Sequence, residues 1–121
     1  MLDHVTIAVR DLERSRTFYD AVLPSIGIAR LYAEGGRFLG YGAAGKAFFW
    51  IGRRDEPVTS VHIAFACMSR ELVDGFHASA LRAGGTDHGA PGLRPHYHAS
   101  YYGAFVLDPD GHNIEAVCHR P

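Results

Sequence analysis

The sequence predicts an α+β fold of two βαβββ modules, which form a cupped mixed β-sheet with helices on its outer face. Three observations predict this fold. The segment around His4 recurs around His62; each copy passes from a strand pattern into a helix pattern that ends at glycine; and the rest of each half reads as strands. We therefore expect the 121 residues to form one domain made of two repeats, at about 1–56 and 57–121.

The first repeat begins with a strand at His4 and continues into a helix. Asp11 is a suitable N-cap, because its carboxylate can accept a hydrogen bond from a backbone N–H group of the first helical turn. Gly27 is a natural helix stop. Between them the helix is indicated by apolar residues at near-helical spacing, namely Leu12, Phe18, Val22 and Leu23.

The second repeat shows the same order of elements from His62 onward. Ser69 takes the N-cap position, and Gly84 with Gly85 ends the predicted helix. The apolar stripe between them consists of Leu72, Val73, Phe76, Ala80 and Leu81. The recurrence of cap, stripe and glycine stop predicts two equivalent helices.

Each half then continues in strands joined by short turns. The tetrapeptide Asp108-Pro109-Asp110-Gly111 has Asp, Pro and Gly at the positions that favour a type I turn. A small loop at Gly42–Gly45 serves the first half in the same way. The strands that flank these two connections are predicted at Arg37–Tyr41, Lys46–Gly52, Tyr101–Leu107 and Asn113–Cys118.

A second alignment compares the last strands of the two halves. When Gly45 is placed on Gly111, Phe49 falls on Glu115. Because neighbouring residues of a strand point to opposite faces, Trp50 is then expected on the other face, packed in the core. The alignment therefore predicts Phe49 on the side of the sheet that carries Glu115.

Two histidines and one glutamate are predicted to form a metal site. His4 and His62 occupy equivalent positions of the two repeats, on strand faces that otherwise carry small residues such as Thr6 and Ala64. Glu115 stands between apolar residues, where a lone carboxylate is unfavourable and a metal ion would balance its charge. Such a ligand set leaves coordination positions open for substrate or water. For either histidine alone, a structural hydrogen-bonding role is the alternative.

Composition argues against several classes of function. The formal net charge is −1, so nothing indicates binding to nucleic acid or to an anionic membrane surface. We see no apolar run of membrane-spanning length and no signal-peptide pattern at the N-terminus. The two cysteines stand among apolar residues, which favours reduced thiols. We expect a cytoplasmic protein whose partner is a small-molecule substrate.

Three motifs carry a resemblance to a known superfamily: LDHVTIAVRDLERSRTFYDAVL near the start, VHIAF in the middle and AFVLDPDGHNIEAV near the end. On these motifs the chain resembles the vicinal-oxygen-chelate superfamily, which includes glyoxalase I, fosfomycin-resistance enzymes, extradiol dioxygenases and bleomycin-resistance proteins. The resemblance implies that His4, His62 and Glu115 hold the metal. It also implies a symmetric homodimer in which His4 of one chain meets His62 and Glu115 of the other, although the sequence does not decide between this and a site within one chain.

The resemblance implies a glyoxalase-like metal-dependent lyase or isomerase, acting on a small substrate with vicinal oxygens through a metal-stabilised enediolate. Glyoxalase I has a fourth ligand where the alignment places Phe49, so its own reaction is not expected. Two alternatives remain open. One is an Fe(II) extradiol dioxygenase acting on a catechol-like substrate; the other is a non-catalytic protein that binds a small molecule or drug, like bleomycin-resistance proteins. The divalent metals that suit the ligand set are Zn, Ni, Mn, Co and Fe(II).

Further residues are expected around the metal. Glu115 or His98 could move a proton, and Tyr101 could hydrogen bond to a metal-bound oxygen. Arg94 could bind a substrate carboxylate, and Phe49 could contact the substrate. An apolar wall is expected from Tyr32, Phe38 and Tyr41. Surface or helix positions are expected for His77, His88, His112 and His119, to which no role is assigned.

Overall fold

Strands and helices follow one another in the same order twice along the chain. The computed structural model describes residues 1–121. Each half consists of a strand, a helix and three further strands, which confirms the two predicted βαβββ modules. The first module contains β1 (Val5–Val9), α1 (Leu12–Val22), β2 (Ala29–Glu34), β3 (Phe38–Ala43) and β4 (Lys46–Arg53). The second contains β5 (His62–Ala66), α2 (Arg70–Arg82), β6 (Thr86–Leu93), β7 (Tyr102–Leu107) and β8 (Asn113–Cys118).

Each module forms its own four-stranded mixed sheet. The strand order is β1-β4-β3-β2 in the first sheet and β5-β8-β7-β6 in the second. In both sheets the first and last strands of the module pair in parallel, and the remaining neighbours pair antiparallel. The two modules are therefore equivalent in topology.

The helices begin where their caps predict. The Asp11 side chain accepts a hydrogen bond from the Arg14 backbone N–H at 3.1 Å, and the Ser69 hydroxyl accepts one from the Leu72 backbone N–H at 3.3 Å. After α1 the chain makes one turn of 3₁₀ helix and then reverses at Gly27, whose φ of 82° lies in the left-handed region that favours glycine.

The faces of β1 and β5 also follow the predicted alternation. Ile7 and Val9 of β1 and Phe65 of β5 are buried in the core. Thr6 and Ala64, on the opposite faces, are exposed. The strand faces with bulky side chains pack inward. The opposite faces, which carry His4 and His62, remain open.

The hairpin between β3 and β4 contains a feature that the sequence alignment did not reveal. Tyr41 pairs with Phe49 and Gly42 pairs with Ala47, so Phe48 is an extra residue on β4. Such a β-bulge shifts every later side chain of the strand to the other face. The predicted equivalence of Phe49 and Glu115 is therefore wrong by one residue.

Strand pairing identifies the true counterpart of Glu115. Phe49 pairs with Val5 on the core side, and Trp50 pairs with Thr6, whereas Glu115 pairs with Ala64 in the second module. Thr6 and Ala64 are the equivalent residues of the two repeats. Trp50, which was expected in the core, consequently lies on the open face, and Phe49 is the buried residue of the two.

A buried polar network joins α1 to the turn between β7 and β8. The Tyr19 hydroxyl donates to Asp108 at 2.5 Å, and the Ser15 hydroxyl donates to Asp110 at 3.3 Å. His112 is fully buried, with Nε2 2.7 Å from the backbone carbonyl of Ala8. The expectation of a surface or helix position for His112 is wrong, because its ring links the two modules.

Neither helix is long and apolar enough to cross a membrane.

Candidate metal site

His62 and Glu115 come together at the open face of the second sheet. Nε2 of His62 lies 3.1 Å from Oε1 of Glu115. Nδ1 of His62 lies 3.0 Å from the backbone carbonyl of Asn113, which can only accept a hydrogen bond. The proton of a neutral ring therefore sits on Nδ1, and the lone pair of Nε2 faces the carboxylate.

Tyr101 occupies the second oxygen of the glutamate. Its hydroxyl donates a hydrogen bond to Oε2 of Glu115. Burial, followed by this hydrogen bond, raises the pKa of Tyr101 well above its usual range. A methyl group at Gly103 would lie 3.2 Å from both the carboxylate and the tyrosine ring, so glycine leaves room for the pair. Tyr101 thus remains a protonated donor beside Glu115.

His4 is held by its neighbours in the same manner as His62. Its Nδ1 lies 2.7 Å from Oδ1 of Asp3, and Nζ of Lys46 donates to both oxygens of Asp3 at 2.8 and 3.0 Å. The hydrogen bonds from Lys46 and then from His4 lower the pKa of Asp3. Because the carboxylate accepts from Nδ1–H, the His4 ring leaves Nε2 free.

The three predicted ligands do not meet within one chain. No three histidine, cysteine, aspartate or glutamate side chains converge closely enough to hold one metal ion. His4 instead lines a cavity of about 310 Å³ together with Thr6 and Trp50. The structure therefore brings His62, Glu115 and Tyr101 together and leaves His4 at a separate place.

Phe49 does not lie on the open face of the first sheet. It is buried, with its ring 5.3 Å from Tyr19 and 5.2 Å from Phe65. Tyr41 is also buried and donates its hydroxyl to Asp20 at 3.0 Å. The expected placement of Phe49 and Tyr41 along the cup is therefore wrong. The extra residue Phe48 puts Phe49 on the core face of β4, and Tyr41 shares the core face of β3 with Leu39.

His98 lies one ring away from the glutamate. Its ring centroid is 5.4 Å from that of Tyr101, and its Nε2 is 2.9 Å from Nδ1 of His119. The backbone N–H of Ser100 donates to Nδ1 of His98 at 3.1 Å. Both ring nitrogens of His98 are thus engaged. The alternation of β8 is a signal that could have located His119, since it follows Glu115 by an even number of residues.

Arg94 lies near Tyr101 and Glu115, and its guanidinium has no carboxylate partner. Its guanidinium donates to the carbonyls of Gly92 and Ala90 at 2.9 and 2.8 Å, and its central carbon is 5.4 Å from the centroid of the Phe105 ring. Phe105 pairs with Glu115 across β7 and β8. A cation with unused donors therefore stands near the glutamate.

Comparisons with known proteins agree on one superfamily. The model of the Glyoxalase/Bleomycin resistance protein/Dioxygenase superfamily matches residues 1–116. A solved structure of a glyoxalase/bleomycin resistance protein from Albidiferax ferrireducens is 34% identical, with a TM-score of 0.86 over 98% of both chains. No curated protein matches the chain.

More distant structures share the fold alone. The fosfomycin resistance protein FosX from Mesorhizobium loti is 22% identical, with a TM-score of 0.70 over 98% of this chain and 91% of its own. A lactoylglutathione lyase from Agrobacterium tumefaciens is 14% identical, with a TM-score of 0.72 over 98% and 92% of the two chains.

Proposed function

The chain belongs to the Glyoxalase/Bleomycin resistance protein/Dioxygenase superfamily, and from this membership we propose that it is a metal-dependent enzyme. The proposed activity is that of a lyase or isomerase acting on a small substrate with two adjacent oxygens. One observation carries the proposal. His4 and His62 each hold Nδ1 against an oxygen that only accepts, so each offers Nε2 as a ligand nitrogen.

His62 and Glu115 fit one side of a metal site. Nε2 of His62 and Oε1 of Glu115 stand 3.1 Å apart, and with the ring neutral and its proton on Nδ1 both atoms present lone pairs to the same space. A divalent cation placed there would be attracted by both atoms. Imidazole and carboxylate together suit Zn, Ni, Mn, Co or Fe(II).

We propose that a second copy of the chain supplies His4. The side chains of His4 and His62 are 57% and 49% exposed, so both are free to meet groups of another subunit. A symmetric homodimer would contain two equivalent sites, each with ligands from both chains.

The residues around the metal site have separate roles in the proposed reaction. The bound ion supplies Lewis-acid polarisation of two adjacent substrate oxygens. Tyr101 keeps its proton at Oη and donates it in hydrogen bonds. We assign proton transfer to Oε2 of Glu115, because a carboxylate oxygen keeps a second lone pair beside the hydrogen bond from Tyr101, whereas both nitrogens of His98 are engaged. Arg94 binds a substrate carboxylate with its unused donors.

A second candidate is an Fe(II) extradiol dioxygenase. It is favoured by Trp50, which stands at the position equivalent to Glu115 and supplies no fourth ligand. Two histidines and one carboxylate leave positions open for a catechol and O₂. Iron in the purified protein, together with oxygen uptake on catechols, would select this reaction over the lyase or isomerase.

The test is a calorimetric titration of Zn²⁺ and Fe(II) into the wild-type protein, His62→Ala and Glu115→Gln. We expect each substitution to weaken metal binding at least about tenfold, because each removes a charged or lone-pair donor. His88→Ala is the matched control, since His88 is exposed and lies outside the site. Equal metal affinity in all four proteins would refute the ligand assignment. No metal binding by the wild type would favour a non-catalytic protein that binds a small molecule or drug.

A further inference from the structure

We propose that Trp50 is a stacking platform for a flat conjugated ring of the substrate. This inference rests on the proposed function, because the ring is taken to belong to the molecule whose adjacent oxygens reach the metal. It adds a substrate class, planar conjugated molecules, and it gives a task to a residue that the metal chemistry leaves unused.

The platform stands beside His4. Trp50 pairs with Thr6, and His4 lies two residues earlier on the same face of that chain segment. His4, Thr6 and Trp50 all line the cavity of about 310 Å³. A molecule that reaches a metal ion bound to His4 therefore has the indole ring as its neighbour.

The indole ring lies flat because Gly40 opposes it. Gly40 and Trp50 are partners across β3 and β4. A methyl group at Gly40 would lie 2.7 to 2.9 Å from three carbons of the indole six-membered ring. The ring thus rests on the bare backbone of β3, and its opposite face points away from the sheet.

Two further aromatic residues lie on the same face, with the Tyr32 ring tilted by 46° against that of Trp50. Tyr32 pairs with Gly40 from the other side, lies 5.7 Å from Trp50 between ring centroids and is 59% exposed. The Phe38 ring lies over Gly52 as Trp50 lies over Gly40, with a methyl group at Gly52 only 2.8 Å from the ring. Aromatic rings on three neighbouring strands suit a planar partner through stacking, which aliphatic chains cannot reproduce.

The experiment uses the single tryptophan of the chain as its reporter. Zn²⁺-loaded protein is titrated with benzohydroxamate and with acetohydroxamate, which chelate metals through the same two oxygens and differ in carrying a phenyl ring or a methyl group. We expect benzohydroxamate to quench the Trp50 emission and to bind about tenfold more tightly than acetohydroxamate.

Two variants separate the platform from the metal site. Trp50→Leu should reduce the ratio of the two affinities, measured by calorimetry, by weakening benzohydroxamate binding more than acetohydroxamate binding. Gly40→Ala keeps the indole but displaces its ring, and should reduce the ratio as well. Gly75→Ala is the matched control, because a methyl group at Gly75 meets no atom within 4 Å.

The proposal is overturned if wild type and Trp50→Leu show the same affinity ratio, or if the emission does not respond to the ring. If the Trp50 ring is already shielded from solvent in the free protein and its emission does not respond to either ligand, a second copy of the chain covers it and the proposal is likewise overturned. Both ligands are also titrated without metal. Failure of Zn²⁺ to bind would refute the proposed function, whereas ring-dependent quenching in the metal-free series would still support the platform, and its absence from both series would refute it.

Discussion

At the scale of single residues, hydrogen bonds decide which nitrogen a histidine can offer. His4 is the more exposed of the two proposed histidine ligands, and Asp3 is what fixes its ring. Lys46 holds the Asp3 carboxylate by both oxygens, so the carboxylate is itself oriented. A carboxylate on the second nitrogen of a ligand histidine fixes the ring and increases its basicity.

We therefore predict that Asp3→Ala weakens metal binding by about 10- to 100-fold without removing a ligand. The measurement is a competition titration against a chromophoric chelator. Asp55→Ala removes the same charge from a side chain that is 88% exposed and paired with Arg53 rather than with a proposed ligand, and it should bind metal like the wild type. Unchanged affinity in Asp3→Ala would show that Asp3 does not position His4.

At the scale of elements, α1 and the turn between β7 and β8 are joined by buried groups rather than by a strand ladder. Tyr19 and Asp108 are both buried, and burial, followed by the charge of Asp108, raises the pKa of Tyr19 well above its usual range. The hydroxyl therefore remains a donor and Asp108 its acceptor. Asp108 also accepts from the backbone N–H groups of Asp110 and His112, so the same carboxylate shapes the turn.

Tyr19→Phe should lower the free energy of unfolding by about 1–3 kcal/mol, because a buried carboxylate oxygen loses its donor. Urea denaturation measures the change. Tyr32→Phe removes a hydroxyl from an exposed ring and should change stability by less than about 0.5 kcal/mol. Equal stability of Tyr19→Phe and the wild type would mean that water replaces the lost donor.

The bulge on β4 is the second decisive feature at this scale. One extra residue, Phe48, moves Phe49 into the core and Trp50 onto the open face. Phe48, Phe49 and Trp50 are consecutive aromatic residues, so the sequence shows no apolar–polar alternation that would reveal the bulge. The face of each residue was set by pairing with Tyr41 and Gly42 on β3, which is a contact across strands.

At the scale of the whole molecule, the open faces of two sheets carry the proposed ligands. One chain brings together His62 and Glu115 but not His4. In the proposed homodimer each site takes His4 from one subunit and the other two ligands from its partner. A subunit that lacks His4 and a subunit that lacks His62 can then form one complete site between them.

Mixing His4→Ala with His62→Ala tests this arrangement. Each variant alone should bind metal poorly. After subunit exchange, about half of the dimers are mixed, and each mixed dimer regains one complete site, so about a quarter of all sites should bind metal. Calorimetric stoichiometry measures the recovered fraction, and sedimentation checks that the proteins are dimers. No recovery after demonstrated exchange would refute a site shared between two subunits.

The sequence by itself determined the βαβββ repeat, the Asp11 and Ser69 caps and the inward faces of β1 and β5. These features follow from local periodicity and from hydrogen bonds between residues three positions apart. Both can be recognised in a short stretch of sequence. It also singled out His62, Glu115 and Tyr101, which the fold brings together.

The tertiary structure decided the rest: which face Phe49 and Trp50 occupy, the burial of His112 and the pairing of His98 with His119. Each depends on contacts between separate elements: across the β3–β4 hairpin for Phe49 and Trp50, and over more than twenty residues for His112 and His98. Such contacts are set by strand register and by packing of the two modules, and no local pattern records them.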